Sequence, residues 1–137
     1  MAIACMCDRA ALSLAQEHQR IADQIKIIEA MISTPRYESH QLLAALRELL
    51  DLSQEHFAHE EESMTDAAFP GGFLHRVDHE YLLRSLRDYI SALVDTTERP
   101  RSNLGDNLRS WLDFHRRRYD EAYLRFAELQ RASGSIV

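Results

Sequence analysis

The 137-residue sequence has little of what cross-links or interrupts a chain, with 2 cysteines, 4 glycines and 3 prolines. No apolar run reaches the roughly 18 residues that indicate a membrane span. Cys5 and Cys7 are too close in sequence to pair comfortably, and we interpret them as free thiols in an N-terminal arm, residues 1–12. A chain of this length buries a core without disulfides. These scarcities exclude a disulfide scaffold and a membrane protein, and we expect one cytoplasmic domain over residues 1–137.

Positive charge is also scarce, because 16 Lys and Arg face 22 Asp and Glu, which gives a net charge of −6. Phosphate backbones attract proteins through clustered basic side chains, so this balance argues against a nucleic-acid partner. The run Arg116-Arg117-Arg118 is the one basic cluster. A solvated helix face explains this run better than an anion site does.

The few prolines and glycines divide the chain into four long segments. Pro35, the turn Pro70-Gly71-Gly72 and Pro100 mark the boundaries. Within each segment apolar residues recur at steps of three and four, which is typical of the inward seam of a bundle helix. The sequence therefore predicts an all-α fold, an antiparallel up-down-up-down four-helix bundle over residues 13–131, with a tail over residues 132–137.

Five histidines and two carboxylates interrupt these apolar seams. The four helices in order contribute a single His, a His-x3-Glu pair, a His-x3-His pair and a His-x4-Asp pair: His18; His56 and Glu60; His75 and His79; His115 and Asp120. An ionised carboxylate on an apolar seam is costly unless a cation compensates it. The pattern predicts a site for two metal ions in the core. The alternative is a structural bundle with incidental histidines, which leaves both carboxylates buried without partners.

The ligand types indicate which metal the site would bind. Imidazole and carboxylate ligands suit iron, and the absence of thiolates near the seams argues against an iron-sulfur cluster. His40 and His59 lie outside the seams, and we expect them to face solvent. Glu61 and Glu62 are interpreted as surface charge, and the alternative is that one of them supports a metal ligand from outside. On a regular α-helix Asp120 would point roughly 140° away from His115. We therefore expect a local widening of the fourth helix, because one turn of five residues brings the pair onto one face.

The combined pattern resembles the ligand pattern of the hemerythrin family, in particular its single-domain bacterial members. The resemblance runs from about Leu14 to Leu129 and includes Phe57, Glu61 and the pair Trp111-Leu112. It implies a core site with two iron ions (Fe2+/Fe3+) joined by an oxo or hydroxo bridge. One iron would be held by His75, His79 and His115 and the other by His18 and His56. Glu60 and Asp120 would bridge the two.

The resemblance also implies a function, reversible dioxygen binding at the second iron for storage, delivery or sensing, by a protein that is not an enzyme. The alternative is a redox enzyme that turns over peroxide or nitric oxide at the same centre. We expect a monomer.

The oxygen pocket that the resemblance implies is lined by Ile21, Phe57, Trp111, Leu112 and Arg116. The sequence departs from the family pattern at Arg116, where an aliphatic residue is usual, and at Leu14–Glu17, which replaces an Ile-Asp-x-Gln run. A guanidinium keeps its charged head hydrated. We expect Arg116 to point outward and to leave the pocket wall thin.

Overall fold

Four long helices make up nearly all of the described chain. The structure, a computed structural model, describes residues 2–34, 38–95 and 104–134. The helical segments in chain order are α1 (Ala2–Ser33), α2 (Ser39–Asp66), α3 (Gly72–Asp95), α4 (Leu104–His115), a π-helical turn (Arg116–Asp120) and α5 (Glu121–Gly134). The last three follow without interruption and form one fourth helix. The predicted all-α four-helix bundle is confirmed, and within the described ranges no helix is long and apolar enough to cross a membrane.

The ends of the bundle differ from the prediction. α1 begins at Ala2, so the residues predicted as an arm extend the first helix. No Gly or Pro stands between Ala2 and Ser13 to stop a helix. α5 continues past Arg131 to Gly134. The side chains of Cys5 and Cys7, the loop predicted over 97–103 and residues 35–37 and 135–137 lie outside the described residues.

Two apolar clusters fill the bundle, one on each side of a polar layer. α1 packs against α2 and α4, and α2 packs against α3. The larger cluster draws on all four helices: Ile21, Ile25, Ile28, Leu42, Ala45, Leu46, Leu49, Leu86, Ile90, Leu104 and Leu108. The smaller cluster is formed by Leu14, Met64 and Tyr123. Full burial of one such Leu or Ile contributes about 1.5–3 kcal/mol. The two apolar clusters therefore hold the helices together on both sides of the polar layer.

A tight turn after α2 directs the chain into α3. The N–H of Phe69 donates to the carbonyl of Met64 at 3.0 Å, and the N–H of Ala68 donates to that of Thr65 at 3.1 Å. This pair of bonds is a Schellman motif, which satisfies carbonyls that the helix end leaves free. Ala68 takes the left-handed conformation, with φ 52°, at a cost of about 1 kcal/mol for a residue that has a Cβ. The turn sets α3 antiparallel to α2 with their polar positions side by side.

Candidate metal centre

The seven residues singled out in the sequence meet in the polar layer between the two apolar clusters. Ligand atoms of one group lie within 4.8 Å of one another, and the group consists of Glu60, His75, His79, His115 and Asp120. A second group consists of His18, His56 and Glu60. All seven are buried except His18, whose side chain is 19% exposed. The structure thus brings all seven positions together in one layer of the bundle.

Three imidazoles from α3 and α4 converge through the same ring atom. The Nε2 of His115 lies 3.1 Å from the Nε2 of His75 and 3.1 Å from that of His79. Oε1 of Glu60 lies 2.6 Å from the Nε2 of His75 and 2.9 Å from that of His79. Three nitrogen lone pairs and a carboxylate oxygen thus point at one small volume, as they do around a metal ion.

The two carboxylates join this group to the other one. Glu60 directs Oε1 at the three imidazoles and Oε2 toward the Nε2 of His56, at 3.7 Å. Asp120 places Oδ1 3.0 Å from the Nε2 of His115 and Oδ2 3.0 Å from the Nε2 of His18. Each carboxylate therefore turns one oxygen to each group, which is the arrangement of a ligand that bridges two ions.

The π-helical turn brings Asp120 into this layer. The N–H of Glu121 donates to the carbonyl of Arg116, five residues earlier, and so closes the wider turn. Asp120 is buried on the same face as His115, whereas Arg116, Arg117 and Arg118 between them are exposed. The widening expected from the His-x4-Asp spacing is confirmed.

Several buried polar atoms in the cluster lack a hydrogen-bond partner among the described residues. They are Nε2 of His56, Nδ1 of His75 and both carboxylate oxygens of Asp120. Imidazole nitrogens lie 3.0 Å from those oxygens, yet none of these contacts has the angles of a hydrogen bond. Such atoms are costly when buried. Metal ions between the imidazoles would satisfy Nε2 of His56 and both oxygens of Asp120, so these residues fit a two-metal centre.

Carboxylates on neighbouring helices hold the outer nitrogens of three of the imidazoles. Nδ1 of His115 lies 2.6 Å from Asp78, Nδ1 of His56 lies 3.1 Å from Glu17, and Nδ1 of His79 lies 3.3 Å from Glu61: each carboxylate accepts when that nitrogen carries the proton. This contact fixes the tautomer that leaves Nε2 free for a metal, and it orients the ring. Sequence reasoning missed Glu17 and Asp78. The available signal was that each directly precedes a seam histidine, His18 or His79.

The carboxylates of the cluster remain ionised when no metal is bound. Burial favours the neutral acid, but contacts with His115, His75 and His79 outweigh burial and lower the pKa of Glu60 well below its usual range. Contacts with His115, His18 and His75 likewise outweigh burial and lower the pKa of Asp120. Both side chains therefore carry negative charge at neutral pH.

The imidazoles of the cluster differ in the direction in which their pKa values are shifted. Burial lowers the pKa of His56 and of His79, so both rings are neutral near pH 7. Burial also opposes charge on His115, but its contacts with Asp120 and Glu60 are stronger and raise its pKa to about 10. The pKa of His75 is raised by the same two carboxylates against the effect of burial. The metal-free cluster thus balances its carboxylates with protons on the His75 and His115 side.

A cavity of about 240 Å³ leads from the surface to this layer between α1 and the fourth helix. Its walls include His18, Glu60 and Asp120 at the inner end. Of the five residues predicted to form an oxygen pocket, Leu112 and Arg116 line this cavity, and Arg116 is exposed as expected.

The other three predicted pocket residues lie elsewhere in the layer. Ile21 and Trp111 pack in the larger apolar cluster, and neither lines the cavity. Phe57 stacks on the His79 ring at a centroid distance of 4.0 Å. None of these three residues therefore forms part of the cavity wall. A second cavity, of about 850 Å³, lies on the other side of the fourth helix and has His75 in its lining.

Comparisons with known proteins agree with this arrangement. The family model described as the Hemerythrin HHE cation binding domain matches residues 12–127. The bacteriohemerythrin of Pseudomonas paraeruginosa (strain DSM 24068 / PA7) is 28% identical over 109 residues, which span 79% of this chain and 69% of that protein. The bacteriohemerythrin of Stenotrophomonas maltophilia (strain R551-3) is 27% identical over 111 residues, with the same shares covered. No solved structure matches the chain significantly.

The fold and the site together define a metal-binding four-helix bundle whose buried His, Glu and Asp side chains could hold two ions. The chain belongs to the hemerythrin family, whose model describes a cation-binding domain, and the cofactor of that domain is a di-iron centre. The resemblance found in the sequence is thereby confirmed.

Proposed function

We propose that this protein binds dioxygen reversibly at a di-iron centre, as a store, carrier or sensor of oxygen. The ligands of the first iron would be His75, His79 and His115, and those of the second would be His18 and His56. Glu60 and Asp120 would bridge the ions. The observation that carries this proposal is the division of both carboxylates between two groups of imidazoles.

The two groups differ in how many side chains they offer and in how open they are. Three imidazoles face the first position, but only His18 and His56 face the second. The cavity reaches His18 and both carboxylates, whereas His75, His79 and His115 are not part of its lining. A small molecule that enters through this cavity therefore meets the side with fewer protein ligands, whereas the cavity on the other side is lined by His75 alone among the seven residues. This supports oxygen binding at the second position.

Side chains around the site set the conditions for reversible binding. When bound, two ferrous ions supply the electrons that dioxygen takes up and recover them when it leaves. Glu60 and Asp120 neutralise much of the ions' charge, because both are ionised. Leu14 and Leu112 line the cavity next to His18 and limit the entry of water. A dry site suppresses side reactions that would make oxygen uptake irreversible.

The test of this function is an absorption spectrum of the iron-loaded protein through a cycle of oxygenation. We expect a visible band to appear when the anaerobically reduced protein meets air, and to disappear when oxygen is removed by purging with inert gas. The cycle should repeat without added reductant. A band that never forms, or one that only a reductant reverses, would contradict reversible binding.

The second candidate is a redox enzyme that acts on peroxide or nitric oxide. The observation that favours it is the polar rim of the cavity, where Gln19, Arg116 and Glu121 stand beside apolar residues. Such a rim offers hydrogen-bonding groups to small polar molecules at the mouth of the cavity. Multiple turnovers of peroxide or nitric oxide with an external reductant would support the enzyme over the oxygen binder.

The rim also yields a prediction about the lifetime of the oxygenated protein. We expect Arg116→Ile to slow irreversible oxidation in air by about threefold, because an apolar side chain at the cavity wall reduces the entry of water. The measurement is the decay rate of the oxygen-dependent band. Arg125→Ile is the matched control, since Arg125 is exposed on the same helix and lines neither this cavity nor the one that includes His75.

Iron content should equal that of the parent protein in both variants, because neither arginine is among the proposed ligands. An equal or faster decay in Arg116→Ile would show that Leu112 and its neighbours already keep the site dry without help from position 116.

A further inference from the structure

A separate group of candidate ligands lies on the outer surface of α1 and α2. Ligand atoms of Glu17, Glu55 and His59 lie within 4.8 Å of one another. Glu55 and His59 are one turn apart on α2, so their side chains share one exposed face. Glu17 approaches from α1. We propose that these three residues form a surface site for a divalent cation of the first transition series, such as Zn2+ or Fe2+.

The side chain of Glu17 is held in place, unlike that of an isolated surface carboxylate. Its side chain is only 12% exposed. One of its oxygens lies 3.1 Å from Nδ1 of His56, and the other lies 2.5 Å from Nδ1 of His59. Imidazoles from consecutive turns of α2 therefore fix both oxygens of the carboxylate. A ligand that is already immobilised loses little conformational entropy when it binds an ion.

The charges around the group favour a cation. At two other places on the described surface an arginine from a neighbouring helix pairs with a carboxylate: Arg109 lies 2.7 Å from Glu29, and Arg76 lies 3.1 Å from Glu61. Glu55 has no ion pair within 4.0 Å among the described residues, and Glu17 pairs only with histidines. A divalent cation would supply the positive charge that arginine supplies at the other two places.

The ligand types narrow the choice of ion. Calcium and magnesium prefer sites made of oxygen ligands alone. One imidazole with two carboxylates suits zinc, iron and their neighbours in the first transition series, with water filling the remaining positions. The prediction from the sequence treated His59 as a solvent-facing side chain without a role. Its side chain is indeed 49% exposed, and that exposure gives an ion access to the site.

Glu17 also connects this surface site to the buried cluster. The carboxylate contacts Nδ1 of His56, and the Nε2 of the same ring faces Glu60 at 3.7 Å. An ion that draws electron density from Glu17 weakens its support of the His56 ring, and such outer contacts tune how a histidine binds metal. We therefore expect a cation at the surface to shift the absorption of the iron-loaded centre.

The experiment is a titration of the fully iron-loaded protein with Zn2+, followed by separation and metal analysis of both elements. We expect about one Zn2+ per chain in addition to the iron. The double variant Glu55→Gln/His59→Ala should bind no added Zn2+ and should keep its iron, because both residues are exposed and outside the buried cluster. His40→Ala is the matched control, since His40 is another exposed histidine beside a carboxylate, Glu38, at 3.1 Å.

Each other outcome overturns the proposal. Absence of added Zn2+ in the parent protein removes the site, and unchanged Zn2+ binding in the double variant places the ion elsewhere. Zn2+ uptake that is matched by loss of iron shows exchange at the buried centre instead. The surface site goes beyond the proposed oxygen binding and does not rest on it. A protein that fails the oxygenation cycle can still bind the additional Zn2+.

Discussion

His75→Ala is expected to lower the iron content of the purified protein from about two ions per chain to about one or fewer. The His75 side chain is fully buried, and its Nε2 lies 2.6 Å from Glu60 and 3.0 Å from Asp120. Its removal takes one of three imidazoles from the first position and leaves a void that no neighbouring ligand can fill. His79→Ala and His115→Ala should have similar effects for the same reason.

The measurement is the iron-to-protein ratio after expression with abundant iron and after reconstitution of the metal-free protein. His40→Ala serves as the control, because it also removes a histidine but one that is exposed and far from the cluster in sequence. The variants should be compared by circular dichroism, so that loss of iron is not confused with loss of the helices. Full iron occupancy in a folded His75→Ala protein would contradict the assignment of His75 as a ligand of the first iron.

Metal uptake by the metal-free protein is expected to release protons and to strengthen by about tenfold per pH unit for each proton displaced. A metal requires a neutral imidazole, yet the pKa of His115 is raised to about 10 by Asp120 and Glu60 against burial. The proton on His115 must therefore leave at neutral pH, and its departure becomes less costly as the pH rises toward that pKa. The raised pKa of His75 adds to this effect.

The carboxylates do not offset this trend. The pKa of Glu60 and that of Asp120 are lowered, so both groups are already ionised at neutral pH and release no proton when a metal binds. Calorimetric titration with Zn2+ in buffers of different ionisation enthalpy counts the released protons directly. The Glu55→Gln/His59→Ala background removes the proposed surface site from the signal. Equal affinities at about pH 6 and about pH 8 would contradict a proton held on the His115 side.

The helical period of the sequence predicts which positions face inward, but not where each helix begins or how the helices pack. Positions on one seam of a helix face inward in any bundle, so the period alone identified His18, His56, His75, His79 and His115 as buried or nearly buried. The spacing of His115 and Asp120 required the wider turn because a regular helix would point them apart. The candidate capping box at Ser13 led the prediction to start the first helix there, with a start near Asp8 as the alternative, whereas α1 begins at Ala2.

The tertiary structure decided every feature that depends on how one helix is rotated and shifted against another. Glu17 meets His56 from a position 39 residues away, and Asp78 meets His115 from a position 37 residues away. The side on which the cavity opens also follows from packing, which left Leu112 at its wall and placed Ile21 in the core. The sequence by itself determined the number of helices and which of their faces carry ligands, because both are properties of a single chain segment. Contacts between segments depend on interhelical geometry, which no local pattern encodes.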